Sequence, residues 1–163
     1  MADNKKSEGA TVVPLRPKKP ANPASEKKWG KPVIDLGFSI IPSLIFRAQA
    51  RLGLNPTQLA VLLQLADYWW DDQRHPYPSK KTLGERLGLS PRQVQRHIAD
   101  LEEAGLVNRL DRFAAHKGRL SNQYDLSGLV ARLKKLEPEF REVDDMKRQV
   151  ARPGGLKSRR QAE

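Results

Sequence analysis

The sequence contains no cysteine, which excludes disulfides, thiolate zinc sites and cysteine nucleophiles. No stretch approaches the roughly 20 apolar residues that a membrane-spanning helix needs. The amino terminus is polar and basic and lacks the apolar segment of a secretory signal, so a soluble, cytoplasmic location is expected. Aromatic residues make up 6% and hydrophobic residues 38% of the chain, enough for one modest core but little for a large catalytic body. No phosphate-cradling glycine loop and no nucleophile motif is visible. His75, His97 and His116 are scattered, and no histidine or carboxylate pair has metal-ligand spacing. Asp71-Asp72 beside Trp69-Trp70 reads as a solvated helix end rather than a catalytic pair. Neither catalysis, nor a metal, nor a cofactor is expected.

What the sequence has in excess is positive charge. Its 163 residues carry 30 Lys and Arg against 19 Asp and Glu, a net +11. The net is +5 over residues 1–31, +5 over 32–136 and +1 over 137–163. The positive balance therefore belongs to the middle of the chain as well as to its start, and it predicts attraction to polyanions. The length fits one domain with flanking tails.

Residues 1–31 hold Pro14, Pro17, Pro20 and Pro23 among lysines, alanines and serines. Too little apolar surface is present to offset the entropy of ordering, so a disordered basic arm is expected. Its apolar island Val12-Val13-Pro14-Leu15 is a candidate docking point for a protein partner. Val33 to Ile41 is β-rich and reads as a short strand. Pro42 suits a first helical turn, opening a helix over Ser43–Leu52 that Gly53 ends. Asn55-Pro56 then caps a helix whose Leu59, Leu62, Leu63, Ala66 and Trp70 recur at helical spacing. Three adjacent aromatics, Tyr68, Trp69 and Trp70, cannot all face one side of a helix, so core packing accounts for one or two of them.

The most informative stretch is PSKKTLGERLGLSPRQVQRHIADLEEAGLVNRLD, residues 78–111. Ser79 caps a first helix with Leu83 and Leu87 on one face. Gly88 supplies a turn, since glycine enters positive φ at little steric cost, and Leu89 plugs the gap between helices. Ser90-Pro91 restarts the chain as cap and first helical residue. The second helix, over 91–104, buries Val94, Ile98 and Leu101 and carries Arg92, Gln93, Gln95 and Arg96 in its first two turns. Arginine can bond guanine O6 and N7 together, and glutamine can pair with adenine N6 and N7. Asp100, Glu102 and Glu103 follow and would repel phosphate, which confines contact to the front half. After Ala104-Gly105, Leu106–Leu110 alternates like a strand. A basic loop, 112–119, leads to a second strand, Leu120–Leu126. That hairpin, 106–126, has Arg112, Lys117 and Arg119 as its basic tip. Either helix alone would be unremarkable in an ordinary helical protein; the hairpin and the placed cations make the combination specific.

Phrases such as Leu83-Gly84-Glu85-Arg86-Leu87-Gly88-Leu89-Ser90, Val94-Gln95-Arg96-His97-Ile98 and Leu101-Glu102-Glu103-Ala104-Gly105-Leu106-Val107 resemble the winged helix-turn-helix families of bacteria and their phages and plasmids. The resemblance covers residues 34–127 and is specific for fold rather than role. It implies a mainly α domain (32–127) with a small β-hairpin wing. It further implies sequence-specific binding of double-stranded DNA, with the second helix in the major groove and the wing on the backbone or in the minor groove. Ser90, Arg92, Gln93, Gln95 and Arg96 would face the DNA. Ser79, Lys80, Lys81, His97, Arg112, Lys117 and Arg119 complete the expected DNA contacts, with His97, beside the buried stripe, either a phosphate contact or a packing residue. A nucleoid-associated transcriptional regulator is the first expectation. A plasmid or phage replication or partition factor at an origin is the second, and a protein-interaction adaptor that never touches DNA is the third.

Beyond the wing, Ser127 is a candidate cap for a helix with Leu129, Leu133 and Leu136 on one face. Pro138 is expected to interrupt it, after which Phe140, Val143 and Val150 continue the rhythm to residue 150. That alternating spacing of three and four suits either packing on the domain or pairing with a second copy. Pro153-Gly154-Gly155 breaks the structure, and 151–163 reads as a loose basic tail.

Overall fold

Caps and glycines written into the sequence set the element boundaries in the computed structural model, which describes residues 23–71, 73–113 and 120–152. The elements are α1 (Pro23–Trp29), α2 (Lys31–Asp35), α3 (Ser43–Arg47), α4 (Pro56–Asp67), α5 (Lys80–Leu87), α6 (Pro91–Glu103), β1 (Asn108–Leu110), β2 (Gln123–Asp125) and α7 (Ser127–Val150). The apolar island at 12–15, the wing tip with His116, Lys117 and Arg119, and the tail from Pro153 onward lie outside the described residues. The chain divides into two units, Met1–Phe38 and Ser39–Glu163.

In the first unit, two expectations are corrected. The stretch read as a disordered arm is helical over Pro23–Trp29, and the residues read as a strand from Val33 begin inside a second short helix. Gly30 adopts φ 85°, a conformation open to glycine, and so separates the two helices. Pro32 then presets the first turn of α2, and Lys31 pairs with Asp35 at 3.0 Å one turn later. These local helix signals override the β preference of Val33 and Ile34, which is a weak and context-dependent force. Gly37, at φ 113°, ends the turn, and residues 38–42 have no regular structure.

In the second unit, α4, α5 and α6 pack around one core. Asn55 and Gln58 form a reciprocal cap on α4: the Asn55 side-chain oxygen Oδ1 accepts the Gln58 N–H at 2.8 Å, and Gln58 Oε1 accepts the Asn55 N–H at 3.0 Å. Val61, Leu62 and Leu65 of α4, Leu83 of α5, and Val94, Ile98 and Leu101 of α6 are all buried. Ile45, Ala48, Leu52 and Leu54 join them from α3 and the turns that follow it, and Trp69 packs against the same cluster. The expected helix over 43–52 is regular only over Ser43–Arg47 and continues as turns.

The connection between α5 and α6 is tight. Gly88 takes the left-handed conformation at φ 67° as the α5 C-cap, and the Leu89 N–H donates to the Gly84 carbonyl at 2.9 Å. A side chain at Gly84 would collide with the Leu89 carbonyl oxygen. A glycine in mid-helix, disfavoured by about 1 kcal/mol against alanine, is thus explained by backbone crossing backbone.

β1 and β2 pair antiparallel with Asn108 opposite Asp125, Arg109 opposite Tyr124 and Leu110 opposite Gln123. The strands are shorter than the sequence pattern implied, because Leu106, Val107 and Leu126 pack into the core instead of extending the ladder. Tyr124 is the anchor: its side chain is buried, its N–H donates to the Pro76 carbonyl at 2.9 Å, and burial pushes its phenol pKa up.

α7 corrects the sequence reading twice. Ser127 is not its cap; the Asp125 carboxylate accepts the Ser127 N–H at 2.8 Å and the Ser127 hydroxyl at 2.9 Å. Pro138 lies inside one continuous helix rather than dividing two. A mid-helix proline is disfavoured by about 3 kcal/mol, and contacts on both sides of it offset this. Leu136 and Phe140 pack on the core, Arg51 bonds Glu139 at 2.8 Å, and Arg47 grips Asp144 through two bonds of 2.8 and 2.7 Å.

Candidate nucleic-acid interface

The stripe that buries α6 dictates what α6 exposes. With Val94, Ile98 and Leu101 at most 1% accessible, the helical period of 100° per residue turns Arg92, Gln93, Gln95, Arg96 and Ala99 outward. All five are exposed. They line an open surface depression of about 660 Å³ together with Ser90. Arg92 and Arg96 meet no acidic partner among the described residues, so both guanidinium groups are available.

Ser90 and Gln93 are occupied locally. The Gln93 N–H donates to Ser90 Oγ at 3.2 Å, while Gln93 Oε1 accepts from the Ser90 N–H and hydroxyl, both at 2.9 Å. This capping box fixes the start of α6. Ser79 has the same task in α5, accepting the Thr82 N–H at 3.0 Å. Lys80, the first residue of α5, reaches across and donates to Gln95 Oε1 at 2.9 Å. Lys81 is exposed and 3.9 Å from Glu85.

A second, larger depression of about 1130 Å³ lies between the α5 N-terminus, α6 and the hairpin. Ser79, Lys80, Lys81, Gln95, Arg109 and Asn122 are among the side chains on its walls. Glu102 also borders it, but its charge is held by Arg109: the carboxylate accepts the guanidinium at 2.8 Å and the Arg109 backbone N–H at 2.9 Å. That pair locks the hairpin to α6. Arg112 stacks its guanidinium 4.4 Å from the centre of the Tyr77 ring at the base of the wing.

His97 takes the packing role, one of the two that the sequence leaves open for it. Its side chain is 11% exposed, with Nδ1 3.7 Å from the Asp100 carboxylate, which also accepts from Gln58 at 3.1 Å. Three positions after Val94 and four before Leu101, it sits at the edge of the buried stripe, so packing takes it off the exposed face. Of the expected contacts, Ser79, Lys80, Lys81, Ser90, Arg92, Gln93, Gln95 and Arg96 fall on one side of α5 and α6, and Arg112 lies at the hairpin base. Two residues that shape this surface escaped the sequence reading, Gly84 and Arg109. Gly84 left a signal in its mid-helix position; Arg109 left none.

The sequence model of the Helix-turn-helix domain family matches residues 52–107. This segment is a helix-turn-helix domain. With the β1–β2 hairpin appended, the helix-turn-helix domain is of the winged type, a DNA-binding fold. Two solved structures resemble it. The N-terminal domain of DnaD protein from Geobacillus kaustophilus is 18% identical, with 77% of this chain and 99% of that chain covered at a TM-score of 0.49. A possible transcriptional regulator from Methanosarcina mazei is 15% identical, with 64% and 85% covered at a TM-score of 0.42. No curated protein sequence matches. Among the described residues, no helix is long and apolar enough to cross a membrane.

Proposed function

We propose that the chain binds specific sites on double-stranded DNA as a non-enzymatic transcriptional regulator of the cytoplasm. α6 enters the major groove and the wing follows the backbone or the minor groove. The observation that carries this reading is the division of α6: an apolar stripe fully buried, and an opposite face of exposed Arg92, Gln93, Gln95 and Arg96 in its first two turns. Arg92 and Arg96 reach base edges, Lys80 and Lys81 lie where the backbone passes the start of α5, and Arg112, Lys117 and Arg119 serve the wing.

A second copy docks along the carboxyl half of α7. Supporting this, Val143, Met146 and Val150 are 48%, 55% and 55% exposed along one side of the helix. Acidic Glu142 and Asp145 precede basic Lys147 and Arg148, so two antiparallel copies would set opposite charges against each other. A sedimentation mass of one chain at micromolar concentration would remove the dimer.

Crosslinking and genome-wide recovery of bound DNA tests the function. Sharp peaks at promoters sharing a short motif are expected. Arrays of repeated sites at an origin would replace regulation by a replication or partition role. Unchanged DNA affinity in the Arg92→Ala, Arg96→Ala double variant would leave only the adaptor reading.

A further inference from the structure

The hydrogen bonds already made on the exposed face of α6 restrict what it can recognise. Oε1 of Gln93 accepts from the Ser90 N–H and from the Ser90 hydroxyl, both at 2.9 Å. A backbone N–H can only donate, so the Gln93 atom beside it must be the carbonyl oxygen, and its two lone pairs are taken. Oε1 of Gln95 accepts from the Lys80 ammonium at 2.9 Å. An ammonium has donors only, so this atom too is the oxygen. The positive charge beside it makes its remaining lone pair a poor acceptor and repels the amino group of adenine or cytosine. What the two glutamines keep to offer a ligand is their amide NH2. Arg92 and Arg96 have no acceptor at all. Ser90 Oγ, one residue before α6, donates to Gln93 Oε1 and accepts the Gln93 N–H, which leaves it a single lone pair at the helix cap.

We infer that the first two turns of α6 form a donor-only face, which selects base edges made of acceptors and therefore reads guanine in preference to adenine. Guanine presents N7 and O6, both acceptors, in the major groove, whereas adenine pairs its N7 acceptor with an N6 donor that needs an oxygen opposite it. Thymine O4 is the other acceptor available. The familiar two-bond pairing of glutamine with adenine is closed to Gln93 by its own helix cap and to Gln95 by Lys80. Lys80 is thus a positioning residue for specificity, acting on the base through Gln95. This inference rests on the proposed placement of α6 in the major groove.

The test is selection of binding sites from random duplexes by the full chain, followed by titration of the selected site. Guanine should dominate the contacted positions. Replacing those guanines with 7-deazaguanine, which lacks the N7 acceptor, should weaken binding about 5- to 100-fold per lost base contact. The Lys80→Met variant keeps the aliphatic stem but frees Gln95 Oε1, and its guanine-over-adenine ratio should narrow several-fold. That ratio is insensitive to a lost phosphate contact, which weakens all sequences alike. Selected sites with adenine at the contacted positions, or a ratio unmoved by Lys80→Met, would overturn the donor-only face while leaving DNA binding in place. Failure to bind any duplex at low salt would overturn the proposed function, and this inference with it.

Discussion

α6 and α7 are both amphipathic, yet their apolar stripes meet different fates. In α6 the stripe Val94, Ile98, Leu101 is covered along its whole length. In α7 it is covered only as far as Phe140, with Leu129 and Leu136 buried and Val143, Met146 and Val150 left in solvent. A helix whose apolar side is fully used is fixed in place, and its polar side is free to read a ligand. A helix that outruns its core presents the apolar side itself as the surface. The difference arises because α6 is enclosed by α4 and α5, while the distal end of α7 touches α3 through ion pairs such as Arg47 with Asp144.

The sharpest way to break this contrast is to remove apolar bulk from each stripe. Leu101→Ala should destabilise the fold by about 2–5 kcal/mol in urea denaturation, the range for a large buried truncation. Met146→Ala should stay within about 0.5 kcal/mol at concentrations where the chain is monomeric. Equal losses would mean that the α7 stripe is covered after all.

On the polar side of α6, Arg92→Ala and Arg96→Ala should each weaken specific DNA binding by about 1–3 kcal/mol in fluorescence titration. The melting temperature should not fall, because neither residue packs in the core. A matching drop in stability would assign them to the scaffold instead.

The two glycines around the helix-turn-helix bend sharpen the point further. Gly84→Ala pushes a methyl into the Leu89 carbonyl and should destabilise by about 1–3 kcal/mol, as overpacking does. Gly88→Ala meets nothing within 4 Å and should cost about 1 kcal/mol, the strain of a left-handed residue alone. Thermal melts of the two variants would separate steric from conformational effects, and a reversed order would contradict the close approach of α5 to α6.

The smallest expected effect concerns pH. The Arg47 guanidinium, bonded twice to Asp144, holds that carboxyl below its usual value of 3.8, and the Ser127 N–H and hydroxyl do the same for Asp125 against its own desolvation. A carboxyl lowered on folding stabilises the fold at pH above its unfolded value, and that contribution disappears as pH falls through the lowered, folded value. Stability should therefore decline below about pH 4, and Asp144→Asn should flatten part of that decline. An unchanged acid limb in urea midpoints measured from pH 5 to pH 2 would show that the Arg47 pair contributes nothing.

Much of the domain could be read from residues alone because its signals are local. Asn55-Pro56, Ser79 and Ser90-Pro91 cap helices with their own side chains, and Gly88 turns the chain where only three or four neighbouring residues matter. The outward position of Arg92, Gln93, Gln95 and Arg96 followed from helical period once the buried stripe was recognised. The strand expected from Val33 gives way to helix because Pro32 and the Lys31–Asp35 pair outweigh β-branched Val33 and Ile34. Pro138 was misread because its tolerance depends on Arg51, Arg47 and the core, all distant in sequence.

Residue order alone dictates the helix-turn-helix pattern, the cationic front of α6 and the hairpin after it, since each follows from periodicity, capping and charge within a few residues. Folding in three dimensions settles that Lys80 occupies Gln95, that Glu102 clamps Arg109 and that α7 runs unbroken past its proline. Those outcomes depend on which side chains meet across elements 7 to 97 residues apart, and hydrogen bonds and packing between them form only once the chain has folded.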